Sequence, residues 1–255
     1  MATKGSLISD ELLQLRELVK AADSIELKVT IPQHSYRPAQ EALNIDPLEA
    51  QIRQVFFLDT PDLTLDKAGV VARARRVQGR DHDTVVKLRP VVPADLPAKL
   101  RKLPEFVVEV DALPGGYVCS ASMKNLLPST EVLPAVRGEK PLRKIFSAQQ
   151  RAFFEQHAPE GIKLDDLSVL GPIFVLKMKV SPAKLGRKVV GEMWLYPDGT
   201  RIVELSTKCL PGEGLDVALQ MRDFFNSKGV DLEGAQQTKT RAALEFFSNE
   251  LRAKK

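Results

Sequence analysis

Charged side chains recur at every second position in six segments of this 255-residue chain. The segments are residues 25–30, 71–75, 83–89, 107–111, 173–180 and 201–208. Successive side chains of a β-strand point to opposite faces, so each segment would carry one charged and one apolar face. One such strand is typical of an ordinary sheet with one face in water. Six such strands all need their apolar faces covered, which favours a closed or strongly curved sheet that encloses the charged faces.

The enclosed charge would be mainly basic. The basic positions on these faces are Lys28, Arg73, Arg75, Lys87, Arg89, Lys177, Lys179 and Lys208, and the acidic ones are Glu26, Glu109, Asp111 and Glu204. Removing uncompensated charges from water is costly, so a polyanion would be needed to neutralise the cations. A hard divalent cation such as Mg²⁺ or Mn²⁺ binds carboxylate oxygens on one side and phosphate oxygens on the other. The pattern therefore predicts a site for a metal–polyphosphate complex.

Length and composition predict one domain that spans residues 1–255. Charged residues are 27% of the chain and apolar residues 44%, both ordinary for a globular protein. The net charge of +4 permits anion binding but is too small to indicate nucleic-acid binding. Cys119 and Cys209 lie in apolar, strand-like surroundings, which is typical of buried thiols in the reducing cytoplasm. Neither a signal peptide nor a membrane-spanning run is expected, because no apolar stretch approaches 18 residues.

The elements that would position these charges form an α+β chain. The six segments, with residues 55–58 and 189–196, predict a single eight-stranded antiparallel tunnel-like β-barrel. Helices are expected at 9–22, 146–157, 214–228 and 239–251, packed outside the barrel and at its ends. Residues 128–141 are expected to be irregular.

Residues 57–76 carry the most specific motif in the chain, Phe-Leu-Asp-Thr-Pro-Asp-Leu-Thr-Leu-Asp-Lys-Ala-Gly-Val-Val-Ala-Arg-Ala-Arg-Arg. This stretch resembles the signature of the CYTH family, the triphosphate tunnel metalloenzymes. Three further stretches, 26–28, 86–89 and 238–244, are similar to the family's first strand, its lysine strand and its closing basic helix, in that order. The resemblance covers residues 24–246.

The resemblance implies an eight-stranded antiparallel tunnel that holds a triphosphate and a divalent metal. Family activities are inorganic triphosphatase, thiamine triphosphatase, RNA 5′-triphosphatase and class IV adenylyl cyclase. The residues it places on phosphate are Lys28, Arg73, Arg75, Lys87, Arg89, Lys177, Lys179 and Lys239. It places Glu26 and Glu204 on the metal, Mg²⁺ or Mn²⁺. Glu109, Asp111 and Glu192 face the same interior and are further candidate ligands.

Two departures from the family pattern concern the metal ligands. Ser24 and Ser206 stand where the family has glutamates, and Asp23 points to the opposite face of its strand. The favoured function is metal-dependent hydrolysis of an inorganic or organic triphosphate. Class IV adenylyl cyclase and a non-catalytic polyphosphate-binding module are the alternatives. Trp194 shares a face with Glu192, and its role on the tunnel wall or in packing is left open.

Overall fold

Nine β-strands close into one barrel in the computed structural model, which describes residues 17–234, 236 and 238–253. The strands are β1 (Ser24–Ile31), β2 (Gln51–Asp59), β3 (Val70–Val77), β4 (His82–Leu88), β5 (Phe106–Leu113), β6 (Gly116–Leu127), β7 (Ser168–Val180), β8 (Val189–Leu195) and β9 (Arg201–Cys209). Their order around the barrel is β1-β5-β6-β4-β3-β2-β7-β8-β9. The expected α+β barrel is therefore confirmed.

The expected count of eight antiparallel strands is wrong. The additional strand is β6, whose inward positions include Ser120, Ser122 and Lys124, so hydroxyl groups stand at two positions of a face that carries charges in the other strands. Around a closed ring, strand direction reverses at every antiparallel contact, so nine strands require a parallel pair. That pair is β1–β5, where Glu26 lies beside Asp111.

The helices lie outside the barrel and at its ends. They are α1 (Tyr36–Leu43), α2 (Thr64–Lys67), α3 (Val132–Val136), α4 (Ala148–His157), α5 (Gly214–Asn226) and α6 (Lys239–Ala253). Short 3-10 turns occur at Gln33–Ser35, Pro47–Glu49, Pro93–Asp95, Leu100–Lys102, Leu142–Ile145, Leu164–Asp166 and Pro211–Glu213. Residues 17–21 are helical, and the rest of the helix expected over 9–22 lies outside the described residues. The segment 128–141, expected to be irregular, contains α3.

The outward faces of the strands pack against the helices, as the alternation predicts. Phe106 of β5 meets Phe153 of α4 edge to face, with ring centroids 5.5 Å apart. Ser147 caps α4 by accepting a hydrogen bond from the Gln150 backbone N–H at 3.1 Å, and the Gln150 side chain accepts one from the Ser147 N–H in return. Such caps and ring contacts hold the apolar cover in place, so the charged faces must turn inward.

A second apolar cluster lies at one end of the barrel interior. Phe57, Val175 and Trp194 are buried there together with Ala243 and Phe247 of α6. Helix α6 therefore closes this end, and its first residue reaches the charged part of the interior.

Both cysteines are free and buried, as expected. Burial raises the pKa of the Cys119 and Cys209 thiols, which makes them poor nucleophiles. Among the described residues, we find no helix with the length and apolar character needed to cross a bilayer.

The turn between β2 and β3 is built by Asp59 and Gly69. The Asp59 carboxylate accepts hydrogen bonds from the backbone N–H groups of Thr60, Leu65 and Asp66 at 2.7, 2.9 and 3.0 Å. Gly69 has φ of +73°, and its carbonyl accepts the Arg89 N–H at 2.8 Å. A Cβ at residue 69 would lie 2.5 Å from the Arg89 carbonyl oxygen. The motif's glycine thus lets two chain segments approach each other where β3 begins.

The variant Gly69→Ala is expected to destabilise the fold by roughly 2–5 kcal/mol. This is the sum of about 1–2 kcal/mol for a left-handed backbone and about 1–3 kcal/mol for the clash. Gly79→Ala is the matched control, because Gly79 has φ of +69° and open space around its Cβ position. Denaturant unfolding would measure both variants. Equal destabilisation of the two would contradict a role for the close approach to Arg89.

Candidate functional site: a basic tunnel

The inward faces of the nine strands and the start of α6 enclose a cavity of about 360 Å³. Its basic lining residues are Lys28, Arg53, Arg73, Arg75, Lys87, Arg89, Lys124, Lys177, Lys208 and Lys239. Its acidic lining residues are Glu26, Glu105, Glu109, Glu192 and Glu204. The cavity is therefore a tunnel with a net positive wall, of the kind that the alternation predicts.

All but one of the residues predicted to hold phosphate line this cavity. Lys179 is exposed, opposite Val190 near one end of β7, and lies outside the described lining. Asp111 lines an adjoining cavity at the mouth beside Lys239. Contact of these residues with a ligand stays a prediction.

Sequence reasoning missed Arg53, Lys124 and Asp83 as members of the site. Arg53 is on β2, which begins at Gln51 rather than at residue 55, so continuing the alternation two residues backward would have included it. Lys124 belongs to the unrecognised strand β6. Asp83 shares the inward face of β4 with Lys87, and the same alternation could have identified it.

Arg73 and Arg75 of β3 differ in their hydrogen-bond partners. The Arg75 Nε donates to the Asp83 Oδ1 at 2.7 Å, and the Lys124 Nζ lies 3.8 Å from the other oxygen of Asp83. The Arg73 Nε is buried and has no hydrogen-bond partner in the part of the chain described here. Burial and the neighbouring Arg75 charge lower the pKa of Arg73 to about 9, so it remains a cation at neutral pH. A buried cation with an unused donor is suited to an anionic ligand.

Four side chains on β1, β4 and β5 form what we call the Lys28 cluster: Glu26, Lys28, Lys87 and Asp111. The Lys28 Nζ lies 3.0 Å from the Glu26 Oε2 and 2.8 Å from the Asp111 Oδ1. The Lys87 Nζ lies 3.0 Å from the Asp111 Oδ2. Burial alone would raise the pKa of Asp111, but the Lys87 and Lys28 charges outweigh it and lower that pKa to about 2. The cluster is therefore ionised and has no net charge.

A second group on β7, β8, β9 and α6, the Lys239 cluster, contains Lys177, Glu192, Glu204 and Lys239. The Lys239 Nζ lies 2.6 Å from the Glu192 Oε2 and 2.8 Å from the Glu204 Oε1. The Lys177 Nζ lies 2.6 Å from the Glu192 Oε1. Although burial opposes it, the charges of Lys239 and Lys177 hold the pKa of Glu192 well below its ordinary value. This cluster is also ionised and has no net charge.

Trp194 positions the Lys239 cluster and is itself largely covered. Its Nε1 donates to the Glu192 Oε2 at 3.2 Å, and the Lys239 Nζ lies 5.0 Å from the centroid of its ring. Phe57 stacks on it at 6.3 Å, and the residue is 4% exposed. Trp194 is thus both part of the tunnel wall and part of the packing beneath α6.

The two serines in place of family glutamates bind other carboxylates. The Ser24 Oγ donates to the Glu109 Oε1 at 3.2 Å, and the Ser206 Oγ donates to the Glu26 Oε1 at 3.2 Å. Glu109 also pairs with Lys208. These hydroxyls add hydrogen bonds to acidic side chains but no negative charge.

The side chains as arranged do not fit a divalent metal ion. Within residues 17–234, 236 and 238–253, no three carboxylate, imidazole or thiolate groups converge on a point where a metal could bind. The five candidate ligands, Glu26, Glu109, Asp111, Glu192 and Glu204, each contact a lysine ammonium group instead. The predicted Mg²⁺ or Mn²⁺ site is therefore not formed by these side chains in their present positions.

The fold and the lining define a basic tunnel in a closed β-barrel. Neither a family model nor a curated protein matches the chain by sequence. Among solved structures, the chain resembles a putative adenylyl cyclase from Hippeastrum, for which a dominant triphosphatase activity is described. That similarity has a TM-score of 0.66 at 14% identity and covers 88% of this chain and 96% of the other. A putative adenylate cyclase from Bacillus halodurans has a TM-score of 0.60 at 12% identity, with 86% and 97% covered. The CYTH resemblance is thereby confirmed for the fold.

Proposed function

We propose that the tunnel binds a triphosphate and hydrolyses it, with inorganic triphosphate as the favoured substrate. The observation that carries this proposal is the buried Arg73 Nε, which has no hydrogen-bond partner among the described residues and is set among nine other basic lining residues. Arginine presents a planar fork of N–H groups that matches phosphate oxygens. A linear anion with several charged oxygens would use the excess positive charge along the whole tunnel.

Hydrolysis in such a site depends mainly on how the water and the phosphate are aligned and on how the charge of the phosphate oxygens is neutralised. Water attacks the terminal phosphorus, the bridging P–O bond breaks, and negative charge develops on the leaving oxygen. Most of the catalytic effect in phosphoryl transfer comes from alignment and from neutralising charge on the oxygens. Arg73 and Arg75 on β3 and Arg89 directly after β4 would supply that neutralisation. Glu192, with its lowered pKa, is a weak proton acceptor, so its main effect is to orient Lys177 and Lys239.

The tunnel wall favours inorganic over organic triphosphate. An organic substrate with an aromatic ring gains affinity from stacking on an aromatic side chain. Among the described lining residues, Trp194 is the only one with an aromatic side chain. Phe57 and Lys239 cover its ring. The adenylyl cyclase alternative would need such a surface for adenine, and it has less support for the same reason.

Assays of the purified protein with tripolyphosphate, ATP and thiamine triphosphate test this proposal. Each substrate is supplied with Mg²⁺, with Mn²⁺ and with a chelator, and phosphate and cyclic AMP are measured. We expect phosphate to be released fastest from tripolyphosphate. If cyclic AMP forms from ATP faster than phosphate is released, the protein is a cyclase and the hydrolase proposal is wrong.

A non-catalytic polyphosphate-binding module is the second candidate, favoured by Ser24, Ser206 and the pairing of the carboxylates with lysines. The variant Glu204→Gln distinguishes the two, because it removes one charge that holds Lys239. A hydrolase should lose most of its turnover in this variant and keep its tripolyphosphate binding. A module would bind tripolyphosphate without turnover in either form. A metal-dependent rate gained by Ser24→Glu would indicate that the natural site is an attenuated hydrolase.

A further inference from the structure

We propose that this tunnel binds tripolyphosphate without a divalent ion, because Lys28 and Lys239 occupy the positions between the paired carboxylates. The inference rests on the proposed binding of triphosphate and concerns how its charge is compensated. It departs from the metal site that the family resemblance implies, and that departure follows from contacts within this chain.

Each of these two ammonium groups bridges two carboxylates from different strands. Lys239 lies between Glu192 and Glu204, which face each other across β8 and β9. Lys28 lies between Glu26 and Asp111, which face each other across β1 and β5. Neighbouring strands bring such opposite residues to about 5 Å of each other, which is a suitable span for one cation to bridge. In both pairs the bridging cation is a side chain of the protein.

Electrostatics opposes the exchange of these ammonium groups for a metal. Lys87 and Lys177 already neutralise the remaining charge of the two clusters. A divalent ion would enter beside lysines that are themselves partly buried, since the Lys28 side chain is only 18% exposed. Repulsion between the metal and these cations would weaken metal binding, and the displaced lysines would lose their hydrogen-bonded partners.

Both bridging lysines keep a donor for the ligand. A lysine ammonium group has three N–H donors, and each of these two lysines forms ion pairs with two carboxylates, which together need at most two of the donors. The third can donate to a phosphate oxygen in the tunnel. The arginines provide the remaining contacts, since Arg73 and Arg89 have no carboxylate within ion-pair distance in the described part of the chain. A complete set of phosphate donors is thus present without metal.

Calorimetric titration of the full-length protein with sodium tripolyphosphate, in chelator and in Mg²⁺, tests the inference. We expect binding in chelator to be as tight as in Mg²⁺, within about threefold, once binding of Mg²⁺ to tripolyphosphate itself is corrected for. Binding that occurs only in Mg²⁺ would overturn this inference and leave the proposed function standing. No binding under either condition would overturn the proposed function itself.

The variant Lys239→Met adds a second measurement, because it removes the ammonium group between Glu192 and Glu204. Its tripolyphosphate affinity in chelator should fall by about tenfold or more, the effect of one lost charge-assisted hydrogen bond. Mg²⁺ should restore part of this loss by taking the place of the ammonium group, whereas the natural protein should gain nothing from Mg²⁺. Lys228→Met, at an exposed lysine beyond the end of α5, is the matched control. A loss of affinity in Lys239→Met that Mg²⁺ leaves unchanged would contradict the bridging role. If this variant fails to fold, the titration of the natural protein still decides the inference.

Discussion

Replacement of both Arg73 and Arg75 by glutamine is expected to weaken tripolyphosphate binding by at least about a hundredfold. A hydrogen bond to a charged group contributes roughly 1.5–3 kcal/mol, so loss of two corresponds to a factor of about 10² to 10⁴. Both side chains line the tunnel from the same face of β3. Calorimetric titration of the natural protein and the double variant would measure the change directly.

Thermal unfolding gives an independent test of the same prediction. A ligand that binds only the folded protein stabilises it by about 2.7 kcal/mol at a hundredfold excess over its Kd. Tripolyphosphate should therefore raise the Tm of the natural protein, and sulfate should do so more weakly. The shift should nearly disappear in the double variant. An unchanged Tm of the natural protein at saturating tripolyphosphate would contradict the tunnel as a binding site.

Without added ligand, the two arginines should have effects of opposite sign. Within the described part of the chain the Arg73 Nε has no hydrogen-bond partner, and it lies near the like charges of Arg75 and Arg53, so Arg73→Gln should raise the Tm. Arg75 pairs with the buried carboxylate of Asp83, so Arg75→Gln should lower the Tm.

Arg76→Gln is the control on the same strand for the loss of tripolyphosphate binding, since the Arg76 side chain points to the opposite face from Arg73 and Arg75 and lies outside the described lining. Tripolyphosphate affinity should stay unchanged in this control, and a comparable loss there would mean that the effect is not specific to the tunnel.

Asp111→Asn should destabilise the fold by about 3–5 kcal/mol at neutral pH. Asp111 is almost fully buried and bridges Lys28 and Lys87, so its neutralisation leaves two partly buried cations with too few counter-charges. Denaturant unfolding would measure the difference. Asp62→Asn is a suitable control, because Asp62 and its partner Arg252 are both largely exposed and such pairs contribute little. A similar small effect of both substitutions would show that Asp111 is not an essential counter-charge.

Asp111 should also change how the free energy of unfolding depends on pH in acid. The lysines lower the pKa of Asp111 from its ordinary value to about 2 in the folded protein, so its stabilising effect is present above pH 4. That contribution, about 2 kcal/mol, should be lost as the pH falls from about 4 towards 2. The free energy of unfolding of Asp111→Asn should therefore depend less steeply on pH in this range than that of the natural protein. Parallel pH profiles would contradict the depressed pKa.

Local sequence was sufficient to predict which side of most strands carries charge. The two-residue period of a strand places Arg73 and Arg75 on one face regardless of what surrounds them. The cap at Ser147 and the turn at Asp59 are equally local, because each depends on hydrogen bonds within a few residues. The enclosed basic tunnel followed from these periodicities, because the apolar faces of so many strands can be covered together only from outside.

The tertiary structure decided which of the inward lysines and carboxylates pair with each other. Strand β6 alternates apolar and polar residues from Cys119 to Lys124, but serines occupy two of its inward positions, so it lacks the charge pattern of the other strands. As the ninth strand of a closed ring, it requires the parallel pair β1–β5. That pair places Glu26 beside Asp111, and β8 and β9 place Glu192 beside Glu204. Lys28 is two residues from Glu26 on the same strand, but its contact with Asp111 joins residues far apart in the chain. The contacts of Lys239 with Glu192 and Glu204 are also between distant residues, so no local rule places either lysine between two carboxylates. The sequence by itself thus determined that the interior is basic, whereas the closure of the barrel decided that its acidic groups are held by lysines.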